Sequence, residues 1–184
     1  MFGLFKQPSA AQEAAKTLYQ SVVGQARAPS FYLDLGVPDT PDGRFDMIMV
    51  HAFLLLHRLK RDHNETEETS QALFDLMFED MDKNLREMGA GDIGVSHRIK
   101  DMAQAFYGRI AAYEDGLNDD EQALEAAIQR NIFRKSSPAE FQVNALATYM
   151  RQQAEALAGQ ETGRLLTGNP VFDGRPDFSK SGPN

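Results

Sequence analysis

The sequence predicts an all-α fold: a single-domain helical bundle of about six to seven helices around a buried central helix. Three observations carry that expectation. Between Asp39 and Arg61 the chain is apolar from Met47 to Val50 and from Ala52 to Leu56, interrupted only by His51, and a helix that is apolar all round is buried all round. Phe74, Met77, Phe78, Met81, Leu85 and Met88 follow the i, i+3, i+4, i+7 rule and make one continuous helical face. No stretch alternates with the two-residue period of a strand, and there is no internal repeat. A chain of 184 residues is of ordinary single-domain size and can bury a core without staples. The bundle is expected over residues 1–158, with an extended or partly disordered tail over 159–184.

From about Ser9 to Arg27, Ala11, Ala14, Ala15, Leu18, Val22 and Val23 form a small-residue stripe that predicts a helix with a core face. Pro29 opens a short turn whose Phe31, Tyr32, Leu33 and Leu35 carry enough apolar area to dock, and Gly36 suits a left-handed stop. In the central helix Thr40 or Asp39 can cap and Pro41 suits the first position; Asp42 and Asp46 lie near the positive end of the dipole, and Arg58, Lys60 and Arg61 near the negative end. Asn64 and Glu67 have capping-box spacing for the next helix, which should end near Met88 with Gly89 closing it. Gly89 to Gly94 reads as a connector, with Asp92 able to cap a helix from about Ser96 to Asp115. In that helix Ile99, Met102, Phe106, Ile110 and Tyr113 point inward, while Gly108 and Ala112 permit close helix approach. Asn118 to Glu121 starts an alanine-rich helix to about Arg134. Ser137-Pro-Ala-Glu140 then combines a serine cap, proline at N1 and glutamate at N3, for a helix to about Ala158 with Gly159 at its end. In the tail Gly163, Gly168, Pro170, Gly174, Pro176, Gly182 and Pro183 break regular structure, and Leu165, Leu166, Val171, Phe172 and Phe178 can anchor it.

The totals exclude several classes. With no cysteine there are no disulfides, thiolate metal sites or cysteine nucleophiles, and a reducing compartment fits. A net charge of −8 opposes general attraction to nucleic acid or anionic lipid. Met1-Phe-Gly-Leu-Phe-Lys6 lacks the apolar core and cleavage site of a secretory signal, and no run reaches the roughly 20 residues needed to cross a bilayer. A cytoplasmic protein is expected, at most peripheral at the cytoplasmic face of a membrane. The candidate membrane contacts are the first six residues and the Arg58, Lys60, Arg61 end.

No histidine has a glutamate three residues before it, as di-iron bundles require, and His51 and His57 are six apart, off one helical face. Buried His51 reads as a hydrogen-bonded core histidine. There is no phosphate-binding glycine loop, dinucleotide fingerprint, nucleophile elbow or zinc-protease motif. Two acidic groups can supply a carboxylate pair, Asp39, Asp42 and Asp46 near Arg44, or Asp75, Glu79 and Asp82. Helix capping accounts for the first group and a solvated face for the second. Asp80 borders the apolar face, where it can meet a basic group. Met47, Met49, Met77, Met81, Met88, Met102 and Met150 line inner or boundary faces, which suits irregular core filling or a groove for variable apolar ligands.

Several of these segments also carry a resemblance. Gln25-Ala-Arg-Ala-Pro-Ser-Phe-Tyr32, Leu35-Gly-Val-Pro-Asp-Thr-Pro-Asp-Gly-Arg-Phe-Asp46, Gln71-Ala-Leu-Phe-Asp75, Asp80-Met-Asp-Lys-Asn-Leu-Arg-Glu-Met-Gly89, Gly91-Asp-Ile-Gly-Val95 and Lys100 to Arg109 resemble, in order, the ubiquinol–cytochrome c chaperone family. The resemblance runs from about Val22 to about Tyr149 and is to the short, bacterial form. It implies a non-enzymatic assembly factor for ubiquinol–cytochrome c reductase, whose partner is newly made cytochrome b or another subunit of that complex. No cofactor, metal or nucleic acid is implied.

A client-binding role needs an apolar surface with polar groups that orient the client. That surface is expected between the central helix and the Phe74–Met88 helix, with Met77, Phe78 and Met81 near its floor. Asp42, Arg44, Asp46, Asp80, Asp82, Asn84, Arg86 and Asp92 are expected around its rim. Two other readings stay open: a carrier enclosing a lipid, quinone or haem among the Met and Phe side chains, and a hydrolytic enzyme using Asp39, Asp42 and Asp46.

Overall fold

The computed structural model describes residues 7–118, 121–167, 172–174 and 176–178. Among these there are eight helices and no strand: α1 (Ala10–Ala26), α2 (Pro29–Leu33), α3 (Pro41–Lys60), α4 (His63–Glu87), α5 (Asp92–Asn118), α6 (Glu121–Asn131), α7 (Glu140–Ala158) and α8 (Thr162–Leu166). The fold is all-α, as expected. Six helices are long, and α2 and α8 have five residues each. None is long and apolar enough to cross a membrane.

Helix α3 is the central post. Every residue from Phe45 to Leu55 is buried, because α1, α4 and α7 pack around it and α5 touches it as well. Thr40, not Asp39, caps it, its hydroxyl accepting from the Gly43 amide at 3.1 Å. Gly43 then runs directly beneath the preceding turn. A Cβ there would lie 2.0 Å from the Pro38 carbonyl oxygen, so only glycine lets the turn fold back over the first helical turn.

Several starts differ from expectation. Helix α4 begins at His63 rather than after Asn64, and Asp62 makes no side-chain cap. The Asp62 carboxylate is taken instead by Arg58 and the Thr162 hydroxyl. Its far end does close at Gly89, which has φ +87°; the Gly89 amide bonds Arg86 O and the Ala90 amide bonds Leu85 O, a Schellman arrangement. The connector is shorter than read, since α5 already starts at Asp92 and includes Ile93 and Gly94. Helix α7 starts at Glu140, not at Ser137, because the Gln142 side chain reaches back to the Ala139 amide. Close helix approach occurs at Gly116, where a Cβ would meet the Leu124 backbone at 2.6 Å, and not at Gly108, which faces open space. The expected cap residues Asp119 and Asp120, and the anchor Val171, lie outside the described residues, as do the first six residues.

Arg58 is not available to a membrane. It is 6% exposed, with Nε donating to Leu157 O, Nη2 to Gln160 O and the Thr162 hydroxyl, and Nη1 to Asp62. It therefore ties the end of α3 to the end of α7 and the start of α8. Arg58→Met should lose about 2–4 kcal/mol in urea unfolding, because buried carbonyls and a carboxylate lose their donor together. Arg58→Lys, with one ammonium in place of a fork, should recover less than half of the loss.

His51 is fully buried, as read, and its ring links two helices. The Met47 carbonyl can only accept, so Nδ1 carries the proton at 2.7 Å, and Nε2 accepts from the Tyr149 hydroxyl at 2.8 Å. Burial lowers its pKa from 6.5 to about 4. Below pH 6.5 the unfolded chain binds a proton that the native chain refuses until about pH 4, so stability rises with pH across that window and is lost as pH falls. Between pH 7 and 5 this group should remove about 2 kcal/mol of unfolding free energy. The slope should vanish in His51→Leu; an unchanged slope would assign it to other groups.

Candidate functional site

The head of α3 opens into a cleft of about 650 Å³. Its walls come from the Pro38–Gly43 turn, the end of α4, the start of α5 and the connection between α6 and α7. Leu85, Met88 and Ile132 supply the apolar lining, and Met88 is 52% exposed. Ile93, in the first turn of α5 and three residues beyond the lining residue Ala90, is 91% exposed.

Two carboxylates one helical turn apart on α3 anchor the rim. Asp42 meets Lys135 at 3.4 Å and Arg98 at 3.9 Å. Asp46, 3% exposed, accepts from Arg109 at 2.7 Å and from Arg134 at 2.5 Å. Four cations from α5 and the α6–α7 connection thus converge on two carboxylates of α3. Burial pushes the Asp46 carboxyl up, against the pull of Arg109 and Arg134. Both its oxygens are held by guanidinium groups, which leaves no geometry for a general base. Among the described residues no group of three or more His, Asp or Glu side chains can hold a metal ion.

A family model described as Ubiquinol-cytochrome C chaperone matches residues 33–172. The chain belongs to the ubiquinol–cytochrome c chaperone family. It is 26% identical over 162 residues to ubiquinol-cytochrome-c reductase complex assembly factor 1 of Xenopus laevis, covering 86% of this chain and 80% of that one. It is 28% identical over 153 residues to the assembly factor 1 of Mus musculus, covering 83% of this chain and 52% of that one. This chain therefore spans about half the length of the mouse relative. In three dimensions it is similar to the crystal structure of the Cbp3 homolog from Brucella abortus, with a TM-score of 0.80, 36% identity and 93% of each chain covered.

Against this family fold, the residues expected to hold a client fall into three places. Asp42 and Asp46 line the cleft. Arg86, Asp82 and Asp92 form a surface network beside it: Arg86 Nε donates to Asp82 at 2.6 Å and Nη1 bonds Asp92, tying α4 to the first turn of α5. The remainder lie elsewhere. Met77 and Met81 have no exposure and Phe78 has 8%, so they are core side chains and not a solvent-facing floor. Asp80 accepts from the Tyr19 hydroxyl at 2.8 Å, a tie between α1 and α4 to a phenol rather than to a basic group. Asn84 donates to the Asp80 carbonyl of its own helix, and Arg44 pairs with Asp39 on the exposed surface. That hydrogen bond from Arg44 holds the Asp39 carboxyl below its usual range.

The sequence reading missed Arg98, Ile132, Arg134 and Lys135. The Arg134-Lys135 pair was the visible signal, since it follows an amphipathic helix in an acidic chain. Of the stripe's last two members, Leu85 is buried as expected, whereas Met88 is half exposed. A second cleft of about 820 Å³ lies between α1 and α4. It is larger, but Glu13, Glu67, Glu68, Asp75 and Glu79 line it with Lys16 as the one cation, and its apolar lining is limited to Pro8, Ala11, Ala72 and Leu76.

Proposed function

We propose that this chain is a non-enzymatic assembly chaperone for ubiquinol–cytochrome c reductase, and that it holds a segment of newly made cytochrome b in the cleft at the head of α3. Membership of the chaperone family supports the class of function. The observation that supports the place is the half-exposed Met88 beside Leu85 and Ile132, in a cleft whose polar lining pairs Arg98, Arg134 and Lys135 with Asp42 and Asp46. An apolar segment of a membrane protein can bury side chains there while an acidic residue flanking it meets Arg98 or Lys135. The chaperone acts transiently, at the cytoplasmic face of the membrane, where its client enters the bilayer. A hydrolytic role for Asp39, Asp42 and Asp46 finds no support, because Asp39 pairs with Arg44 away from the cleft and Asp46 is enclosed by two arginines. An enclosed carrier site finds none either, since Met47, Met77, Met81 and Met150 are fully buried in the packed core.

Removing the gene from its host should lower cytochrome b while leaving other membrane proteins in place. Restoring it with Met88→Glu should fail to rescue, with client affinity reduced on the order of 100-fold. The variant should fold normally, because a half-exposed side chain contributes little to the core. Unchanged cytochrome b after deletion, or full rescue by the variant, would contradict the proposal.

A further inference from the structure

The cleft at the head of α3 does not stand alone. A second cavity of about 210 Å³ lies beside it, between α3 and the first half of α5. Asp42, Asp46, Arg98 and Arg134 line both, so these four side chains form the wall that the two share. Beyond the wall the lining turns apolar, with Phe45 and Met49 from α3 and Met102 and Ala105 from α5. Phe45 and Met49 are buried, Met102 is half-buried and Ala105 is exposed. An apolar cavity of roughly 150 Å³ holds a benzene ring, so this one has room for one large apolar side chain. Among the described residues Asp101 is the only charge in it that the cleft does not share, and it would repel a carboxylate placed there.

The cations around the wall are committed to different degrees. Arg109 and Arg134 hold Asp46 at 2.7 and 2.5 Å. Arg98 stands 3.9 Å from Asp42, beyond hydrogen-bond range, and its side chain is 54% exposed. Its guanidinium therefore keeps a planar fork of donors for a carboxylate from outside. Lys135 stands 3.4 Å from the same Asp42. Four cations around two carboxylates leave an excess of positive charge here, in a chain whose net charge is −8. An acidic group is drawn to this wall and repelled by most of the remaining surface.

Resting on the reading of the cleft as the seat of newly made cytochrome b, we infer that the groove has two apolar compartments with Arg98 between them, and that it selects a segment whose carboxylate lies between two apolar side chains. One apolar side chain seats on Leu85, Met88 and Ile132. The acid meets Arg98 and Lys135, where Asp42 competes with it. The other apolar side chain enters beside Phe45, Met49 and Met102. Met102 follows Arg98 by one helical turn, so this side chain lies about 6 Å beyond the acid along α5. In a helical segment that is the spacing of residues i and i+4.

A photoreactive amino acid at position 88, or at position 105, of the full chain in a host making cytochrome b tests this. Each is repeated with Arg98→Glu, Arg98→Gln, Arg98→Lys and Asp42→Asn. Both positions should crosslink newly made cytochrome b. Arg98→Glu and Arg98→Gln should cut both crosslinks by about tenfold or more, while Arg98→Lys should stay within about threefold of the native chain. Asp42→Asn should raise both by about threefold, because a competing carboxylate is gone. If Arg98 merely braced α3 through Asp42, that variant would lower them instead. Urea midpoints should not move, since an exposed pair at 3.9 Å contributes little; should Arg98→Glu shift its midpoint, the glutamine and lysine variants carry the comparison. Crosslinks from position 88 without position 105 overturn the second compartment and leave the cleft reading standing, and crosslinks from neither overturn both. Crosslinks from position 105 alone, crosslinks that survive Arg98→Gln, a loss in Arg98→Lys as deep as in Arg98→Gln, or no rise in Asp42→Asn overturn the selection by Arg98.

Discussion

Asp46→Ala should cost about 3–5 kcal/mol of unfolding free energy, more than any other single charge removal in this chain. The reason is the partner it leaves behind. Arg109 is 9% exposed, and its Nη1 donates to Asp46 and to the weakly accepting Met49 sulfur. A guanidinium stranded there keeps most of its desolvation penalty and loses its compensation. Arg134, about one-third exposed, can turn toward water and contributes less. The double change Asp46→Leu with Arg109→Met should therefore return to within about 2 kcal/mol of the native chain, since an apolar pair of similar volume replaces an ion pair with little net cost. Urea unfolding of the two singles and the double measures the coupling. Additive losses would mean that the two groups are independently hydrated.

Gly43→Ala should be the most damaging change that adds only one carbon. Its Cβ would stand 2.0 Å from a backbone oxygen, at Pro38, and a backbone atom cannot swing aside as a side-chain tip can. The turn from Pro38 to Thr40 would have to lift, breaking the Thr40 cap and deforming one wall of the cleft. A loss of about 3 kcal/mol in thermal or urea unfolding is expected, at the upper end of overpacking effects. Cytochrome b accumulation should fall with it, even at temperatures where the variant stays folded. A variant as stable as the native chain would show that the turn has slack.

The same two positions show how much was legible beforehand. The all-round apolar run of α3 announced a buried post with Pro41 in its first turn, while residue type alone left the cap open between Asp39 and Thr40 and gave no sign that Asp46 and Arg58 are buried. The stripe of α4 was equally clear, because helical periodicity reports which face is buried. Periodicity does not report where a neighbouring helix stops. Met77 and Met88 belong to one stripe, yet one is sealed and the other is half exposed, and only the packing of α3 against α4 decides between them. The partners of Asp46 were equally invisible, since Arg109 and Arg134 are far along the chain and meet it only through the bundle. Two local cap signals failed: α4 starts at His63, ahead of the Asn64–Glu67 spacing, and at α7 an equally local bond from the Ala139 amide to Gln142 takes the place of the Ser137 cap. Gly43 was seen in the sequence without any hint of the carbonyl above it.

The central claim is that the cleft at the head of α3 receives newly made cytochrome b. A photoreactive amino acid placed at position 88, in a host translating the protein normally, tests it most directly. The account predicts a crosslink from position 88 to newly made cytochrome b, absent when the probe is moved to position 71 in the acidic α1–α4 cleft. Crosslinking from position 71 alone, or none from position 88 while the chain still supports cytochrome b, would contradict it.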